Sequence, residues 1–165
     1  MAAIHSASTK PEMILRHALW CQGFRYRVNE KKLPGKPDIV LPGYRTVIFV
    51  HGCFWHGHKG CRYYTVPKTN TEFWQEKVAS NQKRDQEVWR QLEAKEWHVI
   101  IVWECQLKKS DMEDTIRRIK KEIRQNGENY RKSEDARRCA RETYIRERHA
   151  MKVRETKLMA EIKRI

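Results

Sequence analysis

A chain of 165 residues with 39% hydrophobic side chains suits one domain of ordinary size with a real core. Its formal charge of +14, shared between residues 1–105 and 106–165, argues for a polyanionic partner, most often nucleic acid, over the plainer alternative of a basic solvated surface. No apolar run approaches the roughly 20 residues of a membrane span, and five cysteines without a signal peptide argue against a secreted disulfide framework and for a reducing cytoplasm, where Cys near His usually means metal.

The opening MAAIHSASTK is polar and predicts a poorly ordered segment over 1–10. Pro11 suits a first helical position. Met13, Ile14, Ala18 and Leu19 then recur near helical spacing until Gly23, which predicts a helix over 11–22. FRYRVNE alternates apolar and polar as a half-buried strand does. KKLPGKPD is a loop punctuated by Pro34, Gly35 and Pro37. DIVL and RTVIFV follow as two short strands with a hairpin-like link at Pro42 and Gly43.

A cluster of His and Cys comes next, then a predicted long helix over 71–95, with Thr69 and Glu72 at capping-box spacing. Trp74, Val78, Val88, Trp89 and Leu92 form its apolar stripe, on which polar Asn81 and Asp85 also fall. WHVIIVWEC is too apolar for an edge strand and reads as a buried central one. From Ser110 onward the chain reads as highly charged helix. Residues 130–165 have few large apolar side chains and no Gly or Pro, which fits a solvated helical arm or a disordered extension. The order of elements predicts an α/β sandwich around a mixed sheet. The expected division is a short polar segment over 1–10, a domain over 11–109 and a charged helical extension over 110–165.

Two metal questions arise. Cys53, His58 and Cys61 lie within nine residues, and Cys105 ends the apolar strand beyond the long helix. Zinc takes four such ligands in a tetrahedron, so this set would staple the loop to the sheet. The alternative is a small core Cys beside an exposed His. Cys21 is expected in the core and Cys139 free. The second question concerns Asp38, placed after Pro37 at the start of a strand, as in many magnesium-dependent nucleases. Asp is also common in turns. The usual acidic-x-Lys half of such a site is missing from TVIFVHG, which offers the Val50 carbonyl and the imidazoles of His51 and His56. Glu12 could reach in, or serve as a favourable charge in a first helical turn.

At these residues the sequence resembles the Vsr family, the very-short-patch-repair endonucleases. PEMILRHAL, LPGKPDIVLPGYRTVIFVHGCFWHGH, TEFWQEKVASNQKRD and WHVIIVWEC match the family's blocks in order, over residues 10–108. The resemblance implies a restriction-endonuclease-like fold with an added structural zinc site. It implies a magnesium-dependent nick in duplex DNA 5′ to the T of a T·G mismatch, the lesion left when 5-methylcytosine deaminates. Asp38 would bind Mg²⁺ together with the main-chain oxygen of Val50, where the family pattern has Thr. His56 would be the acid or base, His51 and Glu12 would order metal-bound water, and Cys53, His58, Cys61 and Cys105 would hold zinc. Phe54, Trp55 and Trp74 would wedge into the DNA stack, although Trp74 also suits core packing. Lys77 and Asn81 match positions that read the mismatched pair, which would put Asn81 against DNA.

The expected partner is double-stranded mismatched DNA, bound by a monomer, with no membrane and no small-molecule cofactor. The family usually carries an RSxNM pattern before KPEM. The ten residues before Pro11 hold none, and the basic segment over 130–165 is the expected substitute, touching phosphates without reading sequence. A Vsr-like nuclease redirected to homing or restriction targets is therefore the alternative. A zinc protein that binds DNA without cutting is a third reading, against which Asp38, His51 and His56 speak.

Overall fold

A computed structural model describes residues 8–162; the polar start over 1–7 lies outside them. Helix α1 runs Lys10–Cys21, entered through Thr9 with Pro11 in its first turn. It buries Leu15 and Leu19 completely. Gly23, with φ +85, turns the chain out of the helix. Cys21, expected in the core, is exposed, because the buried stripe runs through Leu15 and Leu19 and leaves it on the outer side.

FRYRVNE forms no strand. Among the described residues it meets the sheet in one antiparallel bridge, Arg27 with Val40. Phe24 is 2% exposed and the Tyr26 hydroxyl donates to the Arg16 carbonyl at 2.9 Å. The alternation therefore marks side chains that bury, without the backbone pairing that makes a strand.

The sheet has three strands in the order β1-β2-β3. Strand β1, Ile39–Leu41, runs antiparallel to β2, Thr46–His51, across a 3-10 turn at Pro42–Tyr44. Arg45 closes that turn with a left-handed φ of 49°. Strand β3, His98–Trp103, pairs parallel with β2, from Thr46 opposite His98 to His51 opposite Trp103. The central strand is thus β2, and β3, read from sequence as central, flanks it. Both are apolar for the same reason: each face of the sheet is covered. On one face Ile39, Leu41, Ile48, Ile100 and Val102 pack with Leu15 and Leu19 of α1. On the other, Val40, Val47 and Phe49 pack with Leu92, Val88 and Trp89.

The covering helix on that second face is α2, Thr71–Glu93. The capping box expected of Thr69 and Glu72 is absent. Asn70 is the N-cap in a left-handed conformation and makes no side-chain cap. The Thr71 hydroxyl instead donates back to the carbonyls of Pro67 and Lys68.

Helix α3 spans Met112–Ile162. The chain divides into two compact units, Met1–Gly127 and Glu128–Ile165. The extension expected from residue 110 thus has its first part inside the first unit: Ile119 and Ile123 are fully buried there, and Asn126 donates to the Tyr44 carbonyl at 2.7 Å. Truncating Ile123 to Ala should lower unfolding free energy in urea by about 2–5 kcal/mol; an exposed extension would register almost no change. The second unit is helix with i,i+3 pairs such as Arg138–Asp135, and exposes Tyr144, Ile145 and Met151. No helix among the described residues is long and apolar enough to cross a membrane.

Candidate active site

Antiparallel pairing of β1 with β2 stops at Ile39 opposite Ile48. Two residues on, the Val50 N–H has no strand partner, and the Asp38 carboxylate takes that place: Val50 N donates to Asp38 Oδ2 at 2.8 Å. In a strand the N–H and C=O of one residue point the same way. The Val50 carbonyl therefore faces the Asp38 side, away from β3. A carboxylate and a carbonyl, two hard oxygens, are brought together by the sheet's own pleat.

Burial pushes the Asp38 carboxyl up to about 6, against the Val50 hydrogen bond that would hold it down; the nearby Glu12 charge adds to the rise. Glu12 is itself only 4% exposed. It accepts from Ser8 N–H, the Thr9 hydroxyl and Arg16 Nη2. Arg16 Nη2 also donates to the Asp38 backbone carbonyl at 3.2 Å. Glu12 thus holds the strand start through Arg16, while its carboxylate lines the same cleft as Asp38.

The cleft measures about 720 Å³. Its floor carries His51, at the end of β2, and His56, in the following loop. Their rings stack at 3.7 Å with an interplanar angle of 17°. His56 Nδ1 lies 2.5 Å from Asp85 Oδ2. Burial and the adjacent His56 ring press the His51 pKa down to about 4, so this imidazole is neutral near pH 7. Asp85 is pushed up by burial, but the His56 hydrogen bond and charge outweigh that, and it stays below the usual carboxylate range. His51 Nδ1 is buried and has no hydrogen-bond partner among the described residues.

Ligand atoms of His51, His56 and Asp85 lie within 4.8 Å of one another, close enough to suggest a metal. The ring geometry argues otherwise. An imidazole binds metal in its own plane, and two stacked parallel rings send their lone pairs side by side, not to one point. Asp85 is also taken up by the short His56 bond. The group is a hydrogen-bonded His–carboxylate pair stacked on a second imidazole.

A second cluster lies beyond the loop. Cys53, His58, Cys61 and Cys105 offer ligand atoms within 4.8 Å. His58 Nδ1 is 3.4 Å from Cys53 Sγ and 3.5 Å from Cys105 Sγ. Four donors around one zinc ion sit about 3.5–3.8 Å apart, given Zn–S near 2.3 Å and Zn–N near 2.0 Å. The donor set and its spacing fit a tetrahedral thiolate–imidazole site. Without a cation, burial pushes the Cys53 thiol up to about 12 and raises Cys105. His58 stacks flat on Trp103 at 4.1 Å, which fixes the plane of that ligand.

Between the two clusters the loop is wound tightly. His58 N–H donates to the Cys53 carbonyl at 2.9 Å, and His56 N–H to that of Gly52 at 3.2 Å. Gly57, at φ +65, faces Val78 and Gln82 so closely that an added Cβ would stand 2.7 Å from Val78 Cγ1. From α2, Asn81 Nδ2 donates to the Trp55 carbonyl at 2.9 Å and Gln82 Nε2 to that of His56 at 3.1 Å. Asn81 is 8% exposed. Its amide holds a loop carbonyl, and the residue also lines the cleft. Lys77, one turn earlier, is exposed.

Phe54, Trp55 and Trp74 meet one another in edge-to-face contacts of 5.2–6.1 Å between centroids. Phe73 joins at 5.2 Å from Trp74 and is 57% exposed. Sequence reasoning named three of these four rings and missed Phe73, whose apolar side chain lies off the stripe. It also missed Asp85 as a functional group, although an acid one turn from Asn81 on an apolar stripe was a usable signal.

A family model described as DNA mismatch endonuclease Vsr matches residues 1–62. The Type II nicking enzyme V.NmeAIP of Neisseria meningitidis is 50% identical over 125 residues, 75% of this chain and 89% of that protein. DNA mismatch endonuclease Vsr of Escherichia coli is 47% identical over 108 residues, 66% of this chain and 69% of that one. The chain belongs to the Vsr family. Membership carries the enzyme class with it, a DNA endonuclease. The Type II nicking enzyme V.XorIIP of Xanthomonas oryzae is a further relative, 47% identical over 107 residues, 65% of this chain and 78% of its own length.

For a Vsr-family nuclease the short His56–Asp85 bond has a measurable consequence. Asp85→Asn keeps the shape but removes the carboxylate that orients and supports the imidazole. Single-turnover nicking should fall roughly 10²–10⁴-fold, with duplex affinity unchanged in a gel-shift assay. A loss of affinity matching the loss of rate would mean that Asp85 serves DNA binding.

Proposed function

We propose that this chain is a Mg²⁺-dependent endonuclease that nicks duplex DNA 5′ to the T of a T·G mismatch, in the very short patch repair of deaminated 5-methylcytosine, on a restriction-endonuclease-like sheet stapled by zinc. The carrying observation is that Asp38, His51 and the His56–Asp85 pair open into one cleft, beside a partly exposed aromatic cluster.

Asp38 and the Val50 carbonyl would hold Mg²⁺, and the ion, when bound, would polarise the phosphoryl oxygen and stabilise the leaving oxyanion. Neutral His51 would help to order water in the cleft. His56 holds or gives a proton, and Asp85 fixes which ring nitrogen does so. Glu12, through Arg16, keeps Asp38 at the strand start. Cys53, His58, Cys61 and Cys105 would hold zinc, which suits a reducing cytoplasm. Zinc would set the loop that aims His56, Phe54 and Trp55.

Phe54, Trp55 and Trp74 enter the base stack next to the mismatch. Unstacking costs a few kcal/mol and least at a mispair, so the wedge itself favours damaged DNA. Lys77 lies one turn from Asn81 and reads the mispair from α2, while Asn81 holds the Trp55 carbonyl. One chain supplies the whole set and works as a monomer.

The test is end-labelled cleavage with Mg²⁺ on a panel of mismatched and matched duplexes. The expected product is one nick 5′ to the T of T·G, with matched duplex intact. Equal cutting of a matched duplex would replace repair with a redirected, restriction-like specificity. No cutting of any duplex would remove the proposal.

A further inference from the structure

Phosphodiester cleavage gathers negative charge on the phosphate, yet β2 reads TVIFVH and carries no lysine or arginine. The cations lining the cleft among the described residues are Lys31, Lys36 and Arg84. Lys31 and Lys36 belong to the loop before β1. Arg84 stands on α2, directly before Asp85 and one turn after Asn81, on the rigid face that also carries Val88 and Trp89 into the cleft.

Arg84 Nη2 donates to Asn81 Oδ1 at 3.3 Å. Among the described residues no carboxylate lies within salt-bridge distance of it. A guanidinium has five N–H donors in a fixed fork matched to phosphate oxygens, so most of this fork remains available. Asn81 uses both ends of its amide: Oδ1 for Arg84, and Nδ2 for the Trp55 carbonyl at 2.9 Å. Turning the amide over would set N–H against N–H and oxygen against oxygen, so its orientation is fixed. The buried Asn81 therefore ties the guanidinium to the loop that carries Trp55.

We propose that Arg84 binds a backbone phosphate of the strand being cut, and that Asn81 is its positioning residue, linking that contact to the Trp55 loop. This rests on the nicking function proposed above. Arg84 supplies on a helix the positive charge that the sheet lacks, and a shift of Trp55 on meeting DNA is passed to Arg84 through one amide.

The test uses the full chain and single-turnover nicking of a T·G duplex. Arg84→Gln should lower the rate roughly 10²–10³-fold, as removal of one preorganised charge donor does, and Arg84→Lys should recover part of it. Each non-scissile phosphate near the nick is then replaced in turn by a neutral methylphosphonate. At one position the substitution should slow the wild-type protein and leave Arg84→Gln unaffected. Asn81→Ala should slow nicking less in the Arg84→Gln background than in the wild-type protein, the remaining effect being the lost Trp55 contact; equal effects in both backgrounds would mean that Asn81 does not position Arg84.

An Arg84→Gln rate within about twofold of wild type would overturn the proposal. So would a variant that keeps the wild-type sensitivity at every phosphate, which would mark a structural role. If Arg84→Gln fails to fold, judged by its melting curve, Arg84→Lys carries the same phosphate scan. If the wild-type protein nicks no duplex, the nicking function itself falls; if it nicks and Arg84 proves indifferent, only this inference does.

Discussion

Asp38→Asn is expected to abolish nicking and, without added Mg²⁺, to raise the melting temperature near pH 7. The first effect follows from losing the carboxylate that would hold the metal, and should exceed about a thousandfold, roughly 4 kcal/mol of barrier. The second follows from its burial. The Asp38 carboxyl is pushed up from an ordinary 3.8 to about 6 in the fold, so the folded chain holds that proton more tightly than the unfolded one. Stability from this group is full below the ordinary value and is lost as pH rises toward 6. Two units correspond to about 2–3 kcal/mol at most. Asn accepts the Val50 hydrogen bond without that penalty.

His51 works in the opposite direction. Its pKa drops from 6.5 to about 4, so its contribution is full above 6.5 and is lost as pH falls toward 4. In the wild-type protein the two slopes oppose each other over the same window. Asp38→Asn leaves His51 unopposed, so the difference in melting temperature between the two proteins should widen from pH 4 to pH 6. A constant difference would mean that Asp38 is not desolvated. A nicking rate near wild type would remove it from the metal site.

Cys105→Ser is expected to have the next largest effect. Cys105 sits in the short turn after β3, whereas Cys53, His58 and Cys61 share one loop. Of the four candidate ligands it is the one that lies outside that loop. Serine offers a hard hydroxyl that does not ionise near neutral pH, so a zinc tetrahedron there would lose a thiolate. Structural zinc in small peptides contributes about 10–16 kcal/mol; a domain with its own core keeps its fold but loses the loop. Bound zinc per chain should fall well below that of wild type by atomic emission. The early, loop-localised part of the melt should move down, and nicking should drop with it, because His56 and Trp55 lie between the ligands. An unchanged metal ratio would overturn the staple.

The strength of the sequence signal varied with distance along the chain. Helix α1, the β1–β2 pair and α2 were legible because turn residues and periodicity act between neighbours. The Cys/His loop was legible because its three nearby donors are dense, and Asp38 because Pro37 marks the entry to a strand. FRYRVNE misled because alternating burial does not require a hydrogen-bonded partner, and Phe24 and Tyr26 bury without one. β3 misled because both of its faces carry apolar side chains that pack against the covering helices, although it is less buried than β2.

By itself the sequence determined the family the chain belongs to and which Cys, His and acidic residues are candidates for metal and proton chemistry. Each of those residue types keeps its donor atoms and charge wherever it lies. Only the tertiary structure decided which of them act together. Asp85 reaches His56 across 29 residues, Asn81 is buried beneath Trp55, and Asp38 fills the place of a missing strand partner at Val50. The spacing of such partners in the chain holds no trace of the packing that joins them. It arises when α2 and the loop close over the sheet, and burial then sets hydrogen bonds and pKa values that no isolated segment has.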